Sequence, residues 1–153
     1  MRTGAAALAL MLAACGDGGS GDPAQAVAAE PVATGGCIRL PAVPGQLAAG
    51  YLTLRGGRTA RTLVVIASPR AARIELHRSM AGASGMMHMQ PVPRLPVPAG
   101  ERLVLAPGGL HLMSFGLAAR PGDRVPLSLR FAEGGTLAVT AQAIAAGDPL
   151  PCA

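Results

Sequence analysis

The stretch VPLSLRFAEGGTLAVTAQ, residues 125–142, decides the fold class of this chain. Apolar residues alternate with smaller or polar ones on both sides of a glycine pair, at Leu127, Leu129 and Phe131 and again at Leu137 and Val139. A period of two residues is that of a β-strand with one apolar side and one solvent-facing side. The stretch therefore predicts two half-buried strands separated by a turn at Gly134-Gly135.

Short apolar runs bounded by turn residues continue through the rest of the chain. With 21 Gly and 14 Pro in 153 residues, this pattern favours many short strands over long helices. The other predicted strands are 37–40, 49–55, 62–67, 73–79, 86–90, 102–105 and 111–115. Seven to nine strands in about 115 residues predict an all-β fold, and a Greek-key β-sandwich is the architecture that suits them.

Composition favours one domain and argues against a nucleic-acid partner. Half of the residues are hydrophobic, but there is no Trp, one Tyr and two Phe, so a single core must consist mainly of aliphatic side chains. The formal net charge is +5, and the basic residues are all arginines, spread over the predicted domain from Arg39 to Arg130. Nucleic-acid-binding proteins cluster basic residues on one face or in a run, so we expect no nucleic acid as partner.

The N-terminus has the pattern of an export signal. Arg2 supplies a positive charge, and residues 4–14 form an apolar run too short to span a bilayer. The run ends in LAAC at residues 12–15, which resembles the bacterial lipobox, where cleavage occurs before a lipid-bearing cysteine. We predict that residues 1–14 are a lipoprotein signal peptide and that Cys15 is lipidated; the alternative is an ordinary signal with a chance cysteine.

This prediction gives a location and a domain division. The protein is expected on the periplasmic side of a bacterial membrane, bound through its lipid anchor only, and Gly16 directly after the cysteine favours the outer over the inner membrane. Residues 15–36 lack periodicity and are predicted to be the lipidated cysteine and a flexible tether, with a reach of roughly 25 Å as a coil. Residues 37–153 are the predicted domain.

Two cysteines remain after lipidation, and they lie at the two ends of the predicted domain. In an oxidising compartment, Cys37 and Cys152 are expected to form a disulfide that ties the termini together. The alternatives are two free thiols or a redox role, for which CxxC is the more usual arrangement.

Histidine and methionine are confined to one stretch of the predicted domain, residues 77–113. It holds every histidine and every methionine after residue 15: His77, Met80, Met86, Met87, His88, Met89, His111 and Met113. Imidazole and thioether groups suit the soft ion Cu(I), whereas magnesium and calcium need the carboxylate oxygens that are scarce here. Side chains two residues apart in a strand share a face, so His111 with Met113 can supply paired ligands.

The spacing of these residues resembles the signature of the periplasmic copper chaperones of the PCu(A)C family. That signature is a His, an optional Met, ten residues, a Met, twenty-one residues, and His-x-Met. Here His77 is followed by Arg78, residues 79–88, Met89, residues 90–110, and then His111-Leu112-Met113. The likeness extends over about residues 37–139. It departs from the signature at the optional Met, which is Arg78 here, and His88 is an additional imidazole.

The resemblance implies a cupredoxin-like sandwich that binds one Cu(I) through His77, Met89, His111 and Met113. It also implies delivery of copper to the dinuclear centre of cytochrome c oxidase, with an apo oxidase subunit or its thiol-disulfide assembly factor as partner. Met87 is either a substitute ligand or part of an apolar rim. We expect rim or packing roles for Met80 and Met86, and His88 is either solvent-facing or an auxiliary Cu(II) ligand.

We expect no enzyme activity. Ser79 and Ser114 lie near histidines in sequence, but no glycine elbow or acidic motif accompanies them. An electron-transfer copper site would need a cysteine ligand between its histidines, and there is none. Two other functions stay open: general periplasmic copper buffering or resistance, and a metal-free adhesion or assembly module on the same fold.

Overall fold

The computed structural model describes residues 27–82 and 85–152, and every regular element in them is a β-strand. The ten strands are β1 Val32–Arg39, β2 Ala48–Arg55, β3 Arg61–Ala67, β4 Arg73–Ala81, β5 Met87–Pro91, β6 Leu95–Val97, β7 Arg102–Leu105, β8 Leu110–Phe115, β9 Arg124–Phe131 and β10 Thr136–Ile144. Within the described residues, no helix has the length and apolar character needed to cross a bilayer. The predicted signal peptide and Cys15 lie outside the described residues.

The strands form one curled sheet whose two halves pack together as a β-sandwich. Its order is β5-β4-β8-β2-β1-β10-β9-β3-β6, and β7 adds to β2. The pairing of β1 with β10 is parallel and joins the two halves, whereas the other pairings are antiparallel. The predicted β-sandwich is therefore confirmed.

The core consists of aliphatic side chains from both halves of the sheet. Its fully buried large members include Ile38, Leu52, Leu54, Leu105, Leu112 and Leu129. The stretch that decided the fold class follows the predicted alternation, because Leu127, Leu129 and Phe131 of β9 are buried and the residues between them are more exposed. Burial of such side chains is the main favourable contribution to folding.

The first strand starts earlier than the sequence predicts, at Val32 instead of Cys37. Val32–Thr34 pair with Thr53–Arg55, and a bulge follows before pairing resumes at Cys37. Gly35 has φ +63°, and a Cβ on Gly36 would lie 2.9 Å from the Thr140 carbonyl oxygen. The glycines that resemble the end of a linker are thus the bulge residues of β1, where positive φ and close backbone approach require them.

The folded part also includes residues that precede β1. Glu30 accepts two hydrogen bonds from the Arg61 guanidinium, at 2.9 and 2.7 Å, and the Ala29 carbonyl accepts one from the Arg58 amide. The prediction that the tether extends to residue 36 is therefore wrong. Residues 27–36 belong to the domain, because their backbone and the Glu30 carboxylate bond to it.

One strand was not predicted from the sequence: β6, which spans Leu95–Val97 and pairs with β3. Prolines at 93, 96 and 98 make this segment look like a loop. Leu95 and Val97 are buried and Pro96 between them is exposed, so the segment still alternates. Proline is tolerated here because β6 is the terminal strand of the sheet and one side of its backbone needs no partner.

A disulfide joins β1 to the C-terminal segment. Cys37 and Cys152 are bonded, with their Cα atoms 5.8 Å apart and a separation of 115 positions in sequence. Cys37 and Tyr51 are buried in a small cluster with Ile144, against which Ala49 and Leu150 pack. This cluster lies on the opposite side of the sheet from the main core, because Cys37 precedes the core residue Ile38.

Candidate metal site

Three neighbouring strands, β5, β4 and β8, bring the predicted ligands onto one face of the sheet. In the ladder between β4 and β8, His77 lies directly opposite His111, and Glu75 lies opposite Met113. In the ladder between β4 and β5, Ser79 lies opposite Met89. Because residues opposite each other and residues two apart share a face, all four predicted ligands project from the same side.

The imidazole of His77 is held by Glu75. Its Nε2 lies 3.0 Å from Oε2 of Glu75, two residues away on the same strand face. An ionised carboxylate can only accept, so this hydrogen bond places the proton of a neutral His77 on Nε2. The other nitrogen, Nδ1, is buried and has no hydrogen-bond partner. A buried, unpaired imidazole nitrogen with a free lone pair is what a metal ligand needs.

The imidazole of His111 is fixed in the complementary way. Its Nδ1 lies 3.0 Å from the Gly109 carbonyl oxygen, which can only accept, so Nδ1 carries the proton. The lone pair of a neutral His111 is therefore on Nε2. His111 is only 7% exposed, and the backbone bond limits rotation of its ring. Each histidine thus keeps one nitrogen unprotonated for a metal, with its orientation set by a partner outside the metal shell.

The two rings are close enough to share one ion. Their centroids are 6.3 Å apart and their planes are inclined at 36°. An ion between the rings, with metal–nitrogen bonds of about 2 Å to each, fits this separation when the two bonds are nearly in line. The cross-strand pairing of His77 with His111 is therefore the centre of the candidate site.

The two methionines differ in how firmly they are placed. Met113 is partly buried and lies two residues from His111 on β8. Met89 lies diagonally from His77 on β5 and is 59% exposed. The structure thus brings His77, His111 and Met113 together on two adjacent strands, with Met89 on the third strand as the most exposed member of the set.

The remaining histidine and methionines divide between the two faces of the β4–β5 hairpin. Met87 shares the ligand face with Met89, as strand alternation predicts, and is exposed. His88 lies directly opposite Met80 on the other face. Met86 lies just before β5 and is exposed.

Methionine sulfur is required for a site with more than two strong ligands. Across residues 27–82 and 85–152, no group of three or more His, Cys, Asp or Glu residues is placed to hold a metal ion. The donors on the ligand face are therefore two imidazole nitrogens and the thioether sulfurs of Met89 and Met113, with Met87 as a third thioether on that face. This set matches soft ions and is poorly suited to magnesium or calcium.

Glu75 is not among the site residues predicted from the sequence. The i, i+2 spacing of a carboxylate and a histidine in one strand is the signal that indicates such a pair. Glu75 is itself oriented by an ion pair of 2.8 Å with Arg73. The contribution of the Gly109 carbonyl has no side-chain signal and depends on how the chain enters β8.

Solved structures of PCuAC domains have the same fold. A copper-bound PCuAC domain from PmoF2 superposes with a TM-score of 0.62 at 19% identity, covering 78% of this chain and 96% of that domain. Cu(I)-loaded DR1885 from Deinococcus radiodurans superposes with a TM-score of 0.60 at 32% identity, covering 79% of this chain and 81% of that one. The fold and the histidine–methionine face thus define a PCuAC-type domain.

The family follows from sequence comparison. The family model described as LpqE-like lipoprotein matches residues 27–143, and the chain belongs to this family. A protein of Leifsonia xyli subsp. xyli named as a lipoprotein, Lxx21020, is 38% identical over 73 residues. That match covers 45% of this chain and 43% of the length of the Leifsonia protein.

Proposed function

We propose that this protein binds Cu(I) through His77, Met89, His111 and Met113. The observation that carries the proposal is the cross-strand pair of histidines, in which one ring nitrogen of each is hydrogen-bonded to an acceptor and Nδ1 of His77 is buried without a partner. The Cu(I)-loaded state of DR1885, at 32% identity, supports copper as the ion. Neutral imidazole and thioether ligands favour Cu(I), and unlike thiolates they are not lost to disulfide formation outside the cytoplasm.

We further propose that the bound copper is cargo for delivery to another protein. The ligand set carries no charge, and Met89 is well exposed at the edge of the sheet, so an incoming ligand can replace it first. Met113 and the buried histidines would then be replaced in turn as the ion moves to the acceptor. The acceptor that we propose is the apo copper subunit of cytochrome c oxidase or a thiol-disulfide assembly factor of that subunit.

A transfer assay distinguishes delivery from copper buffering. Cu(I)-loaded protein is mixed with the apo copper subunit, the two are separated, and copper is measured in each. If the protein delivers copper, the acceptor should gain copper faster from it than from a Cu(I)–chelator complex of matched affinity. If neither the subunit nor its assembly factor gains copper in this way, the protein is a buffer and the delivery proposal is wrong.

We propose that Cys15 anchors the protein by a lipid on the periplasmic side of the membrane, with the outer membrane as the favoured location. The lipobox-like sequence at residues 12–15 and membership of a lipoprotein family support this anchor. Residues 16–26 would connect it to the folded part. The Cys15→Ser protein should leave the membrane fraction and appear in the soluble periplasmic fraction. Retention in the membrane by the variant would refute lipid anchoring at Cys15.

Glu75 should affect copper affinity without binding copper. In Glu75→Ala, His77 loses the acceptor that fixes its proton on Nε2, so Nδ1 is no longer reserved for the metal. Loss of such an outer partner lowers metal affinity by about 10- to 100-fold. Cu(I) affinity is measured by chelator competition, with Glu101→Ala, which removes a carboxylate outside the site, as the control. Equal affinities in the two variants would show that Glu75 does not position His77.

A further inference from the structure

Met80 and His88 form a second pair of soft donors on the reverse face of the β4–β5 hairpin. They lie directly opposite each other in the antiparallel ladder, as His77 and His111 do on the ligand face. Directly opposed residues have Cβ atoms about 4.5–5.5 Å apart, a distance at which both side chains can reach one ion. Met80 is 49% exposed and His88 is exposed, so both donors are accessible.

Gly82 makes room for the imidazole of His88. A Cβ at Gly82 would lie 2.6 Å from Cδ2 and 2.7 Å from Nε2 of His88, so any other residue there would displace the ring. The Gly82 amide donates to the Met86 carbonyl at 2.8 Å, which places Met86 across the hairpin from Gly82. Met86 is 62% exposed and lies two residues before His88.

The chemistry of this face selects a soft monovalent cation. Imidazole nitrogen and thioether sulfur are neutral and suit Cu(I) or its analogue Ag(I). Arg78 and Gln90 are the next residue pair along the same face, and the guanidinium of Arg78 opposes binding of divalent ions more than of monovalent ones. Two firm donors beside a positive charge predict weaker binding than at the four-ligand site.

We propose that Met80 and His88 bind a second Cu(I) ion, more weakly than the candidate site on the other face binds its ion. β5 is the terminal strand of the sheet, so no further strand of the described residues pairs with β5 on its other side. The inference does not depend on the proposed function, because the two faces carry different residues.

Titration with Ag(I), followed by ¹H–¹³C NMR of methionine methyl and histidine ring signals, tests the second site. The first equivalent should shift signals of His111 and Met113, and further Ag(I) should shift those of Met80 and His88. The variant Met80→Leu, His88→Gln should lose the second phase, with affinity reduced at least about ten-fold, and keep the first. Met87→Leu, an exposed methionine on the ligand face of the same hairpin, is the matched control and should keep the second phase.

Two results would overturn the second site: no shift at Met80 and His88 beyond the first equivalent, or an unchanged second phase in the double variant. The variant His111→Ala, Met113→Ala separates this outcome from failure of the proposed function. If it loses the first phase and keeps the second, the two sites are independent. If it keeps the first phase, the ligand assignment on the other face is wrong, whatever happens at Met80 and His88.

Discussion

Replacing His111 and Met113 together with alanine should remove high-affinity Cu(I) binding. The double variant loses the buried imidazole fixed by Gly109 and the partly buried thioether on the same strand face. Loss of a group that merely orients a ligand lowers metal affinity by about 10- to 100-fold, so loss of two ligands should exceed 100-fold. Cu(I) is titrated into wild type and variant in competition with a chelator, and both stoichiometry and affinity are read.

The variant must remain folded for this result to count. Met113 is only partly buried and His111 lies on the face away from the main core, so the sandwich should persist, which thermal unfolding followed by circular dichroism checks. Met87→Leu is the matched control, because it changes a methionine of the same sheet face outside the assigned set. Unchanged stoichiometry and affinity in the folded double variant would contradict the ligand assignment.

Removing the disulfide should destabilise the domain by about 2–5 kcal/mol. The bond closes a loop of 115 residues and holds the C-terminal segment against Tyr51 and Ile144. In the chain-entropy account, a crosslink of this span restricts the unfolded chain strongly, and its loss also frees Leu150 and residue 152 from their cluster. The free energy of unfolding in urea is compared between the Cys15→Ser protein and the same protein that also carries Cys37→Ala and Cys152→Ala.

A second measurement separates the effect of losing the disulfide from other effects of the two substitutions on stability. Cys37 is fully buried, so alanine there leaves a small cavity. The protein with both cysteines intact is therefore also unfolded with and without a reductant, which breaks the bond and leaves the side chains in place. A free energy of unfolding that is unchanged by both treatments would contradict a stabilising role for the bond.

The strands that were predicted correctly are those whose alternation is local. Leu127, Leu129 and Phe131 reveal the period of β9 without knowledge of any other strand. The errors lie where pairing partners decide the structure. Gly35-Gly36 has the composition of a linker, and only the register of β1 on β2 shows that it is a bulge. The segment around Pro96 has the composition of a loop, and only its pairing with β3 shows that it is a strand. Neither partner can be read from the segment itself.

The candidate site follows the same division. Alternation alone puts His111 with Met113 and Met87 with Met89, and it separates His88 from Met89. That His77 lies opposite His111 depends on the register between β4 and β8, strands more than twenty residues apart. The i, i+2 spacing of Glu75 and His77 indicates the hydrogen bond between them, whereas the bond from His111 to the Gly109 carbonyl has no signal in the sequence spacing.

The measurement that tests the central claim most directly is the copper K-edge X-ray absorption spectrum of the protein loaded with one Cu(I) per chain. The assigned ligands predict a mixed shell of two imidazole nitrogens and two thioether sulfurs, with a Cu(I) edge that is retained in air-free buffer. The variant His111→Ala, Met113→Ala, if it retains any copper, should lose one nitrogen and one sulfur from that shell. A spectrum with nitrogen and oxygen neighbours alone, and no sulfur, would contradict the account.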